Sequence, residues 1–530
     1  MTDQQTPPPG RQRGARSRGR GRVVMLVDNG VEGDSRVQKQ ARSMADRGWD
    51  VVLLGSTYGE KTRRWRIGEA RVRLVPVVRS LIRRPYEMRP APLRSPLAFG
   101  EERDALLRLR LAEARVADAV VRTARQAERV RSQGSSRALP GRLVALLARR
   151  RAQATLRLAE KRHAATVKLR TTRRAGTSPI DQLSAWWWKT TMRDRAWRRL
   201  DPHLWDWEAA FGPVIDELKP DLIHANDGRM LGVGARATLR ARHAGRATKL
   251  VFDAHEWLPG RYIHQAHHRW HDGQLAHEAE YVGDADAVVT VSEMMIELLV
   301  ERYGLTAPTS IVRNAPLVGP DGPPAPDGPT IRELCGLADD VPLVLYVGAA
   351  APQRGCDLMV EALPQLPDVH TVFLAKESAY VTGVRERAAE LGVADRFHVQ
   401  PYVPIEQIVP HIATATIGVF AGLRELNGTS IVNHDVDLPT KFYEYAHARL
   451  PMVVSDMTTT GGTVRELGIG EVCTAGDLGS YVEAVRRVLA DLPRYRAAYD
   501  AHADLLAEWT WERQADVLDE VYASLVGQLS

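Results

Sequence analysis

The stretch RVVMLVDNGVEGDSRVQKQARSMADRGWDVVLLGS, residues 22–56, decides the fold. Val23–Val27 is an unbroken apolar run that closes on Asp28, the pattern of a strand buried on both faces of a parallel sheet. After a turn containing Gly and Asp, Val37, Ala41 and Met44 recur at helical spacing, and Gly48 falls where a helix C-terminus favours a left-handed residue. A second apolar run, WDVVLLGS (49–56), follows. Strand, helix and strand in this order predict a β-α-β unit, the opening of a doubly wound α/β fold whose ligands bind at the carboxyl ends of its strands.

The same rhythm returns in DLIHAND (221–227), LVFDAHE (250–256), DAVVTVS (286–292) and SIVRNAP (310–316). A Pro/Gly-rich stretch, LVGPDGPPAPDGP (317–329), has no apolar periodicity and reads as a linker. Beyond it come LVLYVG (343–348), a helix over 356–364, and further strands in TVFLAK (371–376), FHVQPY (397–402), IGVFAG (417–422) and PMVVSD (451–456). A chain of 530 residues exceeds what one hydrophobic core supports, roughly 250–300 residues. The expectation is therefore two doubly wound, Rossmann-like domains facing a cleft, over 21–316 and 330–505. Residues 506–530, with Trp509, Trp511, Val517, Leu518 and Val521, predict a terminal amphipathic helix that packs back on the first domain.

Two segments break the pattern. Residues 1–20 are rich in Pro, Gly and Arg and predict a disordered basic arm. Residues 80–205 are rich in Arg, Ala and Leu and predict an α-helical hairpin inserted in the first domain. Its first helix carries Leu106, Leu109, Val116 and Val120, Pro140-Gly141 separates the two, and the second runs near 142–172. Trp186, Trp187, Trp188, Trp197, Trp205 and Trp207 close the segment and make up half of the chain's 12 tryptophans. The charge is equally uneven: the chain carries +7 in all, yet 81–200 alone holds 29 Lys and Arg against 10 acidic residues. A basic insertion on an acidic body calls for an anionic partner. An anionic membrane surface met through 81–207 is one reading, with Trp rings at the boundary. A solvated structural hairpin is the other, and nucleic acid is disfavoured because no zinc finger, RRM motif or helix-turn-helix is present.

No run approaches the ~18 apolar residues that span a bilayer, and the N-terminal stretch lacks the apolar core of a secretory signal. Three cysteines, Cys335, Cys356 and Cys473, make neither a disulfide framework nor a zinc cluster. The expected setting is cytoplasmic, either free or peripheral on the inner face of the cytoplasmic membrane.

The strings GDSRVQKQARSMADRGWDVVLL, DLIHANDGR, LVFDAHE, ADAVVTVSEMMIELLVERYG, SIVRNAP, VGAAAPQRGCDLMVEAL and LPTKFYEYAHARLPMVVSD, in this order and spacing, resemble the family-four (group 1) glycosyltransferases, retaining enzymes of the GT-B fold. The resemblance covers about residues 22–75 and 205–525. It implies an acceptor-side N-terminal domain, a C-terminal domain that binds a nucleotide-sugar donor, and a glycan or lipid-linked acceptor. No cofactor is implied: the nucleotide-sugar is a substrate and no metal is required.

The residues make chemical sense in that light. A diphosphate needs cations and N–H donors, and the loop after LVLYVG offers Gly348, Arg354 and Gly355 before a helix. In LPTKFYEYAH, Lys441 stands at a helix start to meet phosphate, and Glu444, one turn on, can accept from a ribose diol. The chain has nine Lys against 63 Arg, so a lysine here stands out. The family often has a second Glu eight positions before the one matching Glu444; Val436 stands there, and the flanking Asp435 and Asp437 are the expected substitutes. Asp435-Val436-Asp437 also spells DxD, a metal motif of a different fold, which this reading sets aside. The resemblance gives His255 of DAHE contact with the transferred sugar, so His255, Lys441 and Glu444 form the expected catalytic set. Gly30, Asp34 and Arg36 after the first strand, and Asp227 of HAND, are the expected acceptor or cleft-loop residues, Arg36 being equally readable as a structural ion-pair residue. The competing readings are another GT-B-shaped enzyme, such as an epimerase or a phosphorylase, or a degenerate, non-catalytic binding protein.

Overall fold

The computed structural model describes residues 20–59, 61–78, 81, 95–99, 102–133, 135–175, 179–261, 268–319, 322–427 and 429–527. The expected basic arm falls on residues 1–19, outside the described residues; Arg20 is described and pairs with Asp519 at 2.8 Å. The chain divides into two compact units, Met1–Val78 with Leu204–Tyr262 and Gln274–Ser530, and Arg79–His203 with Ile263–Gly273.

The larger unit holds two parallel sheets. The first comprises β1 (Arg22–Leu26), β2 (Asp50–Thr57), β3 (Arg63–Ile67), β4 (Ala70–Pro76), β5 (Leu222–Asn226), β6 (Lys249–Ala254), β7 (Ala287–Thr290) and β8 (Thr309–Ile311). Its strand order is β3-β4-β2-β1-β5-β6-β7-β8, with only β3 antiparallel to its neighbour. Central strands such as β1 and β5 are buried along nearly their whole length, as a sheet covered on both faces requires. β3 and β4 escape the sequence reading because RRWRI looks like a charged loop. Its arginines stand out from an edge while Trp65 and Ile67 pack against the first core, and charge is what a safe edge strand carries.

The second sheet contains β9 (Leu343–Val347), β10 (His370–Leu374), β11 (Phe397–Gln400), β12 (Ile417–Phe420), and, after a small hairpin of β13 (Glu425–Leu426) and β14 (Thr429–Ser430), β15 (Met452–Ser455) and β16 (Gly470–Cys473). Its order is β11-β10-β9-β12-β15-β16, all parallel. The arrangement is two α/β domains of doubly wound, Rossmann-like type.

In the first domain, α1 (Ser35–Asp46) starts on Asp34, whose carboxylate accepts the Val37 N–H and satisfies an orphan donor of the first turn. At the far end of the chain, the helix Trp511–Gly527 lies on α1 and β8. Its Trp511, Leu518 and Tyr522 are fully buried in the same core as Val23, Val37 and Trp49. The Trp511 indole donates to Ser43 Oγ at 2.8 Å.

The smaller unit is helical: α2 (Glu102–Gln133), α3 (Ser135–Ala175) and α4 (Pro179–Met192). α2 and α3 run antiparallel, since Arg170 reaches Glu102 and Gly141 lies beside Gln126. The first of these helices ends at Gln133 and the second begins at Ser135 and runs through Pro140-Gly141, so the two do not part at that dipeptide. Pro140 sits in the second turn, where its missing N–H forfeits a single backbone bond. The buried seam is also not the leucine stripe read from the sequence. Ala105, Ala112 and Ala119, seven apart, are buried, while of the stripe Leu109 and Val116 are half-buried and Leu106 and Val120 are exposed. Alanine lets two backbones approach closely, which leaves the larger apolar side chains outside. On α4, Leu183, Trp186 and Trp187 share one exposed face. Trp197 and Trp207, by contrast, are core residues with almost no exposure.

Candidate functional site

In the larger unit the residues that follow β6 and β7, with the start of α1, meet the carboxyl ends of β9 and β12 and the start of α5 (Thr440–His447) around a cavity of about 730 Å³. Side chains cross between the domains here. Asn314 donates to Thr440 Oγ1 at 2.8 Å, and Ser292 Oγ donates to the carbonyl of Val436 at 2.7 Å.

Lys441 enters from the first turn of α5. It is 8% exposed, and its ammonium lies 5.0 Å from the Tyr346 ring centre and 4.8 Å from that of Phe420. Burial, then Arg354, push its pKa down to about 7 against the pull of Glu444. An ammonium held on ring faces beside a guanidinium is a place where an anion relieves repulsion. Glu444, one turn later, is raised by burial, with Lys39 and Lys441 opposing the rise.

Gly348, at φ 117°, and Arg354 also line this cavity. Gly355 does not; it acts beneath the wall. At φ 67°, a Cβ there would stand 1.8 Å from the Ala421 carbonyl oxygen, so only glycine lets the Arg354 loop lie on β12's end. Asp437 is a wall residue, pushed up to about 8 by burial. Asp435 is turned away: its carboxylate accepts from Arg424 at 3.2 Å and from the Thr458 N–H at 2.8 Å. Those contacts make it a brace for the following helix, not part of the cavity wall. Among the described residues no group of three or more His, Cys, Asp or Glu is arranged to hold a metal ion.

From the first domain, Arg36 lines the cavity and is at the same time an ion-pair residue, fully buried against Asp253. His255 follows two residues after Asp253. Its Nε2 is 3.3 Å from Asp227 and its Nδ1 3.6 Å from Asp253. Burial works against a charged imidazole, yet Asp227 and then Asp253 outweigh it and hold His255 up at about 10. The two carboxylates thus favour the charged form of the imidazole.

A second cavity of about 290 Å³ takes in Asp34 and Asp227, together with Asn29, Glu256 and Glu278. Gly30 is on neither wall. Sequence reasoning missed Lys39, whose ammonium donates to Asn314 Oδ1 at 2.9 Å and to the Ala315 carbonyl, and lies 4.7 Å from the Trp511 ring centre. It also missed Glu278, on the helix His268–Tyr281, 51 residues after Asp227. Lys39, two residues from Val37, stands across α1 from the Val37, Ala41 and Met44 stripe, so nothing local marks it, and nothing local marks Glu278.

The profile of Glycosyltransferase Family 4 matches residues 149–315, and that of Glycosyl transferases group 1 matches residues 328–503. A D-inositol 3-phosphate glycosyltransferase from Geodermatophilus obscurus is 24% identical over 265 residues, which is 48% of this chain and 56% of that protein. The match thus spans little more than half the length of that relative. A GDP-mannose-dependent alpha-(1-6)-phosphatidylinositol monomannoside mannosyltransferase from Mycolicibacterium smegmatis is 28% identical over 58% of this chain and 80% of its own length. Among solved structures, sucrose-phosphate synthase from Thermosynechococcus elongatus aligns with a TM-score of 0.60 at 13% identity, covering 96% of this chain and 99% of that one. HepE from Anabaena in complex with UDP and glucose aligns at 0.53 and 14% identity, covering 95% and 100%. At such identity these two show a common fold.

Proposed function

The chain belongs to the group 1 glycosyltransferases of GT-B fold, and from that premise we propose that it moves a sugar from a nucleotide-sugar to a glycan or lipid-linked acceptor with retention of anomeric configuration. The observation that carries this reading is Lys441. Its buried ammonium, placed beside Arg354 and one turn before Glu444, has the chemistry to receive a diphosphate and stabilise it as it leaves. Glu444 takes the hydroxyls of the ribose, and Gly348 lets the phosphates approach the backbone. The names of the relatives and of the HepE complex support a nucleotide-sugar donor.

In the proposed reaction the bond between the anomeric carbon and the phosphate oxygen breaks, and the bond to the acceptor oxygen forms on the same face. The acceptor's hydroxyl proton passes to the departing phosphate. The protein's part is positioning and charge: Lys441 and Arg354 hold the leaving group, and the His255 imidazolium faces the sugar. No side chain is asked to be a nucleophile, and no metal is invoked.

The setting we infer is cytoplasmic, with the smaller unit lying on an anionic membrane surface. Among the described residues no helix is long and apolar enough to cross a membrane. What supports surface binding is the excess of Arg over 81–200 together with outward-facing Leu183, Trp186 and Trp187.

A thermal-shift screen against UDP, GDP and ADP and their sugars tests donor binding, since a ligand of the folded state raises Tm by mass action. NMR of the product's anomeric proton reads retention, and an assay in EDTA reads metal independence. Absence of any nucleotide shift, an inverted product or loss of turnover in EDTA each removes the corresponding part of the reading.

A further inference from the structure

The second cavity adjoins the first, and His255, Glu256 and Arg261 belong to both walls. Its own wall is rich in carboxyl groups: Asp28, Asp34, Asp227 and Glu278, with Glu256 at the shared edge. Two arginines share the wall. Arg229 donates to Asp28 at 2.5 Å, and Arg261 lies 3.5 Å from Glu256. His277 turns its Nδ1 to the Gly228 carbonyl at 3.0 Å.

Glu278 is the most telling member. It is 3% exposed, and its Oε1 accepts the Tyr303 hydroxyl at 2.7 Å, while its Oε2 has no hydrogen-bond partner among the described residues. Glu278 is on the cavity wall, where a hydroxyl or ammonium can reach it. The backbone around it is equally constrained. Asp227 adopts φ 66°, a left-handed conformation that costs a residue with a side chain about 1–3 kcal/mol. At the next position a Cβ would stand 2.6 Å from Glu278 Oε2, so Gly228 keeps that oxygen open.

Resting on the transferase reading, we propose that this cavity receives the acceptor as an unphosphorylated polyol, neutral or amino-bearing, and rejects phosphorylated acceptors. Hydroxyl and ammonium groups bring the donors that carboxylates require. A phosphate would bring about two more negative charges among carboxylates, and Arg229 on this wall already donates to Asp28. Burial pushes Glu278 up to about 7, so near neutrality its carboxyl both donates to and accepts from hydroxyls.

The test is competition within matched pairs on the full chain: myo-inositol against myo-inositol 1-phosphate, glucosamine against glucosamine 6-phosphate, and methyl mannoside against mannose 6-phosphate. Saturation-transfer NMR reads binding without nucleotide, and mass spectrometry reads transfer with it. We expect the unphosphorylated member to win by at least about tenfold in one or more pairs, because like charges disfavour the other. Glu278→Gln, which keeps the Tyr303 contact and removes the charge, should shrink that ratio severalfold. Preference for the phosphorylated members, or no binding by either member of any pair, overturns the proposal. The NMR arm needs no turnover. Polyol binding without sugar transfer would therefore defeat the transferase reading alone, and transfer to phosphorylated acceptors in preference would defeat this one alone.

Discussion

Arg36 and Asp253 are joined by two hydrogen bonds, Nε to Oδ2 at 3.0 Å and Nη2 to Oδ1 at 2.9 Å, with both side chains sealed from solvent. The pair ties the first turn of α1 to the end of β6, and Arg36 also donates to the Val312 carbonyl at 2.7 Å. Burial alone would raise the Asp253 carboxyl, but Arg36 foremost, and then His224 and His255, hold it well below the usual carboxylate range. His255 stands on that carboxylate, so the pair supports the centre of the site as well as the fold.

Arg36→Ala should therefore be strongly destabilising, by about 3–5 kcal/mol, because it strands a buried carboxylate. Denaturant unfolding checks this. A loss below 1 kcal/mol would mean that Asp253 finds other partners.

Lys441 should gain a proton when a nucleoside diphosphate binds. With a pKa of about 7 in the empty site it is mostly neutral at pH 8, and a diphosphate raises its pKa. Calorimetry in buffers of differing ionisation enthalpy should show uptake at pH 8 that fades toward pH 6. Lys441→Met should abolish the uptake and weaken binding, while Arg354→Ala weakens the diphosphate far more than the nucleoside. Uptake unchanged in Lys441→Met would move the proton to another group.

Asp227→Asn should lower the pKa of His255, because Asp227 is the largest of the influences that raise it. NMR titration of the imidazole should place the wild type near 10 and the variant closer to the ordinary histidine range, with Asp253 still supporting it. An unshifted titration would show that Asp253 alone sets the charge.

Gly355→Ala should displace the Arg354 loop. The left-handed backbone costs about 1–2 kcal/mol with a Cβ, and the contact with the Ala421 carbonyl adds to it. The expected outcome is a lower Tm with diphosphate affinity falling alongside. A variant with wild-type Tm and affinity would mean that β12's end yields.

The double variant Trp186→Ser, Trp187→Ser should lose binding to anionic liposomes at low salt and keep its secondary structure, since both rings are more than half exposed. Wild-type protein left in the supernatant with such liposomes would defeat the membrane reading outright.

The doubly wound character of both domains was legible in the chain because strands covered on both faces must be apolar throughout, and β1, β9 and β15 are continuous runs with polar turns at their carboxyl ends. Arg354 and His255 were legible for the same reason, since each follows such a strand end, where a doubly wound fold binds its ligands, whereas Lys441 and Glu444, on the helix that precedes β15, were read from LPTKFYEYAH. Local pattern could not say which neighbours those residues would acquire. Asp435 and Asp437 look alike in the sequence, yet one braces the Thr458 N–H and the other faces the cavity. The deepest support of the site runs from Tyr522, near the C-terminus, whose hydroxyl bonds His224 at 2.6 Å, and on through His224 to Asp253. Those groups are 298 and 29 residues apart, and periodicity carries no information across such separations. Only packing the terminal helix against α1 brings them together, and so tertiary structure alone decided the charge of His255, the pKa of Lys441 and the burial of Glu278.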